Sequence, residues 1–433
     1  MVLESVSGLR GVYGHDLTLH YARKWAFRFG SYVGPGRVAI GRDTRPSSQA
    51  LLEAAEAGLK ASGCRVQSLG VVTTPEMFRY VRVEDIEGAV VVTASHNPPE
   101  WNGLKFVVRG GRGLYEEELA SLREIGGSSK KGSSMRPKKP TYYEDILREV
   151  GEGSGSGTAI VVDLGGGSGC KGVVQLFRRL GADVRAINYT PGVFGRMLDP
   201  TEDPLEDLGK VITKGNYDVG FAFDGDADRL AIVDASGSKL PADSVLALMV
   251  LLEGREGGSL TMSVDTSSAV ADLASRRGSE VILAPVGEAN VVKAMIRSKS
   301  YLGGEGSSGG VIFPHFSYCR DGLLAAAILT KALKNRQLKE LLDEIPPRCV
   351  LRVKLPLSRV AAAKALNGLV RRHPDAVTLD GVRLNVRRGW MLFRASRTEE
   401  AIRISVEGDN RKQAEGLLEE AKAMLEDALR QGM

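Results

Sequence analysis

Residues 160–169 read IVVDLGGGSG. An apolar run of this length, ending in an aspartate and a small-residue loop, fits a buried strand meeting a turn. Helical period follows as far as Leu180, Gly181 marks its end, and residues 184–187 form a second apolar run. Strand, helix and strand joined by a short turn make the βαβ unit of a mostly parallel sheet. The same grammar occurs twice more. Residues 38–43 lead to a helix over 49–62, then Gly63 and a strand from Val66; residues 260–265 lead to a helix ending at Arg277, then Gly278 and a strand over 281–283. Three such units predict three α/β domains of related design. Shared α/β grammar without duplication is the plainer alternative.

The remaining segments mark boundaries. Residues 126–140 (GGSSKKGSSMRPKKP) are polar and basic without apolar period, which predicts a linker or surface loop. Residues 151–157 (GEGSGSG) predict a flexible entry to the second unit, and Pro346-Pro347 closes the third. Beyond it, residues 349–355 alternate apolar and basic, and residues 413–429 have helical period. That is the pattern of an α+β domain with an antiparallel sheet. The expected division is 1–137, 138–238, 239–347 and 348–433, three mixed-sheet α/β domains and a C-terminal α+β domain.

A chain of 433 residues is too long for one core. Its net charge of +5, from 58 basic against 53 acidic residues, is too small to suggest a nucleic-acid protein and compatible with anionic small substrates. Four scattered cysteines (Cys64, Cys170, Cys319 and Cys349) form no CxxC pair and are expected to be reduced. With no signal-like start and no apolar run of membrane length, a cytoplasmic protein without membrane contact is expected. Residues 167–172 (GSGCKG) fit G-x-G-x-x-G after a strand, but Asn188 and Tyr189 stand where a dinucleotide fold needs an acidic residue. A glycine turn packing a helix on the sheet is the better reading.

Two segments carry chemistry. Residues 90–92 read as a core strand that breaks into Thr93-Ala94-Ser95-His96-Asn97-Pro98-Pro99, with Lys105 downstream. A serine at a strand end beside a histidine has the setting of an activated nucleophile, although a turn cap is the ordinary reading of a lone Ser-His pair. Far downstream, Asp224-Gly225-Asp226-Ala227-Asp228-Arg229 sits between two apolar strands. Three alternating carboxylates concentrate charge that calls for a counter-ion, and hard oxygen donors suit Mg²⁺. An EF-hand is excluded, because Arg229 and Ala235 stand where its glycine and glutamate belong.

At these residues the chain resembles the α-D-phosphohexomutases. SGLRG (7–11) is similar to their N-terminal arginine loop, VAIGRDTRPS (38–47) to a stretch of their first domain, and TASHNPPEWNGLK (93–105) to their phosphoserine loop. DGDADR (224–229) is similar to their metal loop, GEGSSG (304–309) to their sugar-recognition loop and RASRTEEAIR (394–403) to their phosphate clamp. The resemblance implies a heart-shaped, four-domain enzyme that exchanges phosphate between C1 and C6 of a hexose phosphate. Ser95 would be carried as phosphoserine, with Arg10, Lys105 and His96 around it. Arg10 would act chiefly as a charge, and Lys105, its pKa lowered by a neighbouring cation, would be the acid–base group. Mg²⁺ would be held by Asp224, Asp226, Asp228 and an oxygen on Ser95, and a hexose 1,6-bisphosphate would be the activator. Arg229, Glu305, Ser307, Arg394, Ser396, Thr398 and Arg403 would bind substrate. A monomer or small homo-oligomer is expected.

The chain departs from the family's pattern in two loops. Arg397 and Glu400 replace the glycine and proline of the clamp, and Ser308-Gly309-Gly310 replaces a sugar-loop sequence that usually carries histidine. Without that histidine the sugar is open between glucose or mannose, the leaning of this reading, and glucosamine. Two rival classes remain, a phosphatase attacking phosphoserine with water and a non-catalytic sugar-phosphate sensor. The separate clamp speaks against the first and the intact serine, lysine and aspartates against the second.

Overall fold

The computed structural model describes residues 2–396 and 400–430. Four sheets account for the strands. In the first, strand Arg37–Arg42 pairs in parallel with Arg65–Val71 on one side and Gly88–Val92 on the other. Gly88–Val92 then turns back antiparallel into Trp101–Val108, which pairs with Gly8–Val12. Gly88–Val92 is buried along its whole length, as expected of a strand covered on both faces. Trp25, Phe29, Leu51 and Leu59 of helices Leu19–Val33 and Ser48–Ala61 cover one face; Met77, Phe78 and Val81 of Thr74–Glu84 cover the other.

The second sheet is ordered Asp183–Ile187, Ala159–Asp163, Val219–Phe223, Leu230–Asp234, and the third Glu280–Ala284, Ser259–Ser263, Leu302–Glu305, Gly310–Ile312. In each, three parallel strands end in an antiparallel partner. The first sheet holds the same four-strand set at its centre. The three repeats therefore share a topology as well as a local grammar, and each closes with a hairpin. Those hairpin turns hold Ser95, the 224–229 loop and the 306–309 loop. A recurrent fold thus places the three most informative sequence segments at equivalent positions.

One expectation needs correcting. Within the supposed linker, Ser133–Met135 adds a short parallel strand to the edge of the first sheet, against Arg65–Gln67. Its main chain supplies the pairing while its side chains stay largely in water, so hydropathy gave no sign of it.

The last sheet is antiparallel, ordered Cys349–Pro356, Ala401–Gly408, Gly389–Ala395, Val382–Val386. Helices Arg359–Arg372 and Arg411–Arg430 pack on it through Ala365, Leu369, Ala421 and Leu425. Three α/β domains and a C-terminal α+β domain make up the chain. All four cysteines are free thiols. Among the described residues no helix is long and apolar enough to cross a membrane.

Candidate active site

Ser95 sits at the hairpin turn with a left-handed backbone, φ 52°, which is costly for a residue with a side chain. Local bonds hold it there. Its N–H donates to Thr93 Oγ1 at 2.9 Å, and Arg45 donates to the carbonyls of Ser95 and Asn97 at 2.7 Å each and of Trp101 at 3.0 Å. Arg45 is itself buried and paired with Asp43 at 2.9 Å. Its planar fork suits a cluster of carbonyl oxygens that one point charge could not span.

The second hairpin brings the aspartates to this turn. Ser95 Oγ donates to Asp224 Oδ2 at 2.7 Å. Ala227, also left-handed at φ 59°, bends the loop between Asp226 and Asp228. The glycine turn that mimicked a dinucleotide site has a different task. Ser168 N–H and hydroxyl both donate to Gly225 O, and a Cβ on Gly167 would lie 2.6 Å from that same oxygen. The turn is a close-packed brace for the aspartate loop.

Asp224, Asp226 and Asp228 are fully buried, and one carboxylate oxygen from each falls within 4.8 Å of the others. Asp226 Oδ1 and Asp228 Oδ1 have no hydrogen-bond partner. Orphaned buried carboxylate oxygens carry a large desolvation cost, and a hard cation between them removes it. The donor set therefore fits a divalent metal.

The charges respond to this crowding. Burial and the two neighbouring carboxylates raise Asp224 well above the usual range. Burial would raise Asp226 and Asp228 too, but Lys105 and the Thr74 hydrogen bond together lower the first, and Arg320, Lys105 and Arg229 together lower the second. Lys105 Nζ lies 2.6 Å from Asp226 Oδ2 and 2.9 Å from Asp228 Oδ2. Burial would lower its pKa, but the two carboxylates raise it, contrary to the lowering by a neighbouring cation that the resemblance implied. Burial lowers Arg10 to about 10, so it stays a cation at neutral pH.

Arg10 and Lys105 reach the site from paired strands. Arg10 is in register with Gly103, and Lys105 follows two residues on, so both side chains leave the same face of the sheet. Gly8, at φ +113°, lets that arginine strand close on Leu104, whose carbonyl a Cβ would meet at 2.5 Å. Arg10 donates to Asn97 Oδ1 at 2.8 Å. Arg229 pairs with Asp199 at 2.7 Å and lies 3.5 Å from His96 Nε2. Burial, then Arg229 and Arg10, depress His96, which is therefore neutral. With Nε2 accepting from Arg229, the ring proton is assigned to Nδ1, 3.4 Å from Ser95 Oγ.

The third hairpin adds Glu305, buried and raised by that burial. Its Oε1 accepts from Gly287 N–H at 2.6 Å and its Oε2 faces Arg320 at 3.3 Å. Ser307 lines a cleft of about 300 Å³ together with Lys239, Asp243, Arg348 and Arg352. On the C-terminal hairpin, Arg394 and Arg403 are directly opposite across the ladder. Arg394 pairs with Asp380 at 2.9 Å, and Ser396 N–H donates to Ala401 O at 2.8 Å. Thr398 and Arg397 lie outside the described residues.

The sequence did not single out Arg45, Thr74, Asp199 or Arg320 for the site. Thr74 donates to Asp226 Oδ2, and Arg320 reaches Asp228 Oδ2 at 2.9 Å. One signal was available for Arg320. The Arg-Asp pair stands directly before the apolar run 322–329, where Asp321 caps the helix Gly322–Leu333.

Comparison with known proteins agrees with this architecture. Profiles described as phosphoglucomutase/phosphomannomutase alpha/beta/alpha domains I, II and III match residues 2–131, 140–237 and 241–349. A protein of Methanopyrus kandleri named "Probable phosphoglucosamine mutase" is 36% identical, over 96% of this chain and 95% of its own. A Pyrococcus abyssi protein of the same name is 33% identical over 98% of each chain. The crystal structure of a phosphoglucomutase/phosphomannomutase family protein from Burkholderia thailandensis superposes with a TM-score of 0.87 at 27% identity, covering 98% of this chain and 96% of that one. Three matched domains and full-length similarity leave one conclusion: the chain belongs to the phosphoglucomutase/phosphomannomutase family and is a phosphohexomutase.

Proposed function

We propose that this enzyme is a phosphoglucosamine mutase that moves phosphate between C6 and C1 of glucosamine phosphate through Ser95. The observation that carries the reading is the 2.7 Å contact of Ser95 Oγ with Asp224, at the edge of the buried carboxylate triad. A phosphoryl group on Ser95 would sit where the donor set favours a cation. Phosphoryl transfer asks a protein chiefly for such positioning and charge neutralisation.

In the forward half-reaction the bond between Ser95 Oγ and phosphorus breaks as a sugar hydroxyl oxygen bonds to that phosphorus. Lys105, an ammonium between Asp226 and Asp228, gives a proton to Ser95 Oγ as that bond breaks and takes the sugar hydroxyl proton in return, so its own charge is unchanged over the step. His96 donates from Nδ1 to the departing serine oxygen, and Arg10 and Arg229 offset charge on the phosphoryl oxygens. The bisphosphate formed turns end for end and returns its other phosphoryl group to Ser95 by the same steps reversed. Mg²⁺ held by Asp224, Asp226, Asp228 and an oxygen on phosphorylated Ser95 would neutralise charge spread over the group in transit. Arg394, Ser396, Thr398 and Arg403 hold the phosphate that is not being transferred, and Glu305 and Ser307 receive the sugar. A hexose 1,6-bisphosphate restores Ser95 when the intermediate escapes. The four domains are taken as 1–137, 138–238, 239–347 and 348–433.

The choice of sugar departs from the leaning towards glucose and mannose. It rests on the names of the full-length relatives and on a buried carboxylate, Glu305, suited to a sugar amine. The second reading, a phosphoglucomutase/phosphomannomutase, is favoured by the description of the Burkholderia protein. Coupled assays with glucosamine, glucose and mannose 1-phosphates side by side separate the two. Glucosamine 1-phosphate should give the highest kcat/KM; equal or better use of either neutral sugar favours the second reading.

A further inference from the structure

Arg320 engages three carboxylates, yet the reaction above leaves it without a task. Its guanidinium lies 2.9 Å from Asp228 Oδ2 on the metal loop, 3.3 Å from Glu305 Oε2 on the sugar loop and 3.2 Å from Glu288 Oε2 on the helix Glu288–Ser298. The main-chain N–H of Arg320 also donates to Glu288 Oε2 at 3.1 Å. A Cβ on Gly310 would lie 2.2 Å from Arg320 Cδ and 2.9 Å from its Cγ. Gly310 has an ordinary negative φ, so the glycine answers a need for space and not for backbone freedom. It follows the 306–308 turn of the sugar loop and opens the strand Gly310–Ile312. The absent side chain at 310 is thus the passage through which Arg320 reaches both loops.

The contacts continue in both directions. Beyond Asp228 lies Lys105. Beyond Glu305, Gly287 N–H binds Oε1, and the preceding Val286 N–H donates at 3.0 Å to Asp380, the carboxylate that holds Arg394 of the clamp. We propose that Arg320 is a positioning residue that couples sugar seating on Glu305 to the geometry of the metal ligand Asp228. A sugar that engages Glu305 alters that carboxylate's hold on one edge of the guanidinium, and the other edge alters the set of Asp228. Sugar and divalent cation should then bind with a coupling free energy, reciprocal by thermodynamic linkage. This inference rests on the proposed mutase reading.

The test uses full-length protein freed of phosphate at Ser95, so that no turnover occurs. Mg²⁺ is titrated calorimetrically with and without saturating glucosamine 6-phosphate, glucose 6-phosphate or mannose 6-phosphate. In the wild type, the sugar phosphate that binds best should change the Mg²⁺ dissociation constant threefold or more. In Arg320→Lys, which keeps the charge but cannot span three carboxylates, the factor should fall to one while each ligand still binds alone. Gly310→Ala, which displaces the arginine without removing any charge, should do the same, and it serves if the lysine variant fails to fold. An undiminished factor in either folded variant, or no coupling in the wild type, overturns the proposal. Failure of all three sugar phosphates to bind the wild type removes the mutase reading itself.

Discussion

Ser95 and Asp224 are 129 residues apart in the chain, yet the serine hydroxyl donates to the aspartate across 2.7 Å. Each lies at the closing hairpin of its own α/β repeat, so the contact exists only because the first and second domains dock. The docking is close at the main chain as well, since a Cβ on Gly225 would lie 2.7 Å from Ser95 O. A phosphoryl group on Ser95 would press a dianion against these carboxylates. Ser95→Ala should abolish turnover and shift the unfolding temperature by only a few degrees, one side-chain hydrogen bond being worth about 1 kcal/mol. Intact-mass analysis of active enzyme should show one phosphoryl adduct that peptide mapping places at Ser95.

The orphaned oxygens of Asp226 and Asp228 make the metal prediction. Asp226→Asn should weaken Mg²⁺ binding tenfold or more and lower kcat, because one anionic ligand of a hard cation becomes neutral. Calorimetric titration of Mg²⁺ and activity after chelation check both effects. Undiminished affinity would mean that the orphaned oxygens serve something else.

Arg45 was legible only as part of a matched stretch, and its role came from the fold. It is buried, satisfies four carbonyls of the Ser95 turn and pairs with Asp43. Arg45→Ala should destabilise the protein by about 3 kcal/mol or more, since it strands a buried carboxylate and the carbonyl cage. Chemical denaturation measures that loss, and residual activity should fall further than the folded fraction.

The clamp prediction concerns Arg403, opposite Arg394 on the C-terminal hairpin. Losing a guanidinium fork from a phosphate should cost on the order of 2 kcal/mol of binding. Arg403→Ala should therefore raise KM and increase the dependence on added glucose 1,6-bisphosphate, as the intermediate escapes more often. Polar contacts of this domain with the third, Glu407 on Ser268, Arg352 on Asp243 and Asp380 on Val286 among them, are ones a closing domain would have to keep or exchange.

Glu76 supplies a pH prediction away from the chemistry. Burial beside the start of helix Thr74–Glu84 raises it from 4.5 to about 7. The folded state therefore holds a proton there that the unfolded chain releases at lower pH. Its contribution to stability is complete below about pH 4.5 and declines as pH rises towards 7, by at most about 3 kcal/mol. Glu76→Gln should remove that decline, so the variant gains on the wild type between pH 5 and pH 8 in urea denaturation midpoints.

Much of this was legible in the chain because its chemistry is local. The three strand–aspartate–helix–glycine–strand runs, the TASHNPP turn and the DGDADR loop each carry their signal within a dozen residues. Arg320 carries none of that kind, because its partners come from positions 228, 288 and 305 and meet only in three dimensions. Lys105 misled for a related reason. Its pKa depends on which charges stand nearest, and the fold puts two carboxylates against it. Ser133–Met135 stayed hidden because its contribution is made by backbone, which composition does not report.

The central claim is that Ser95 gives its phosphoryl group to a sugar, and a single-turnover experiment tests it most directly. Enzyme labelled with ³²P at Ser95 is mixed with excess unlabelled glucosamine 1-phosphate and Mg²⁺, then quenched over time. The label should leave Ser95 and appear in hexosamine bisphosphate and then in hexosamine monophosphate. Label released instead as inorganic phosphate would make the protein a phosphatase, and label that stays on the protein would contradict transfer through Ser95.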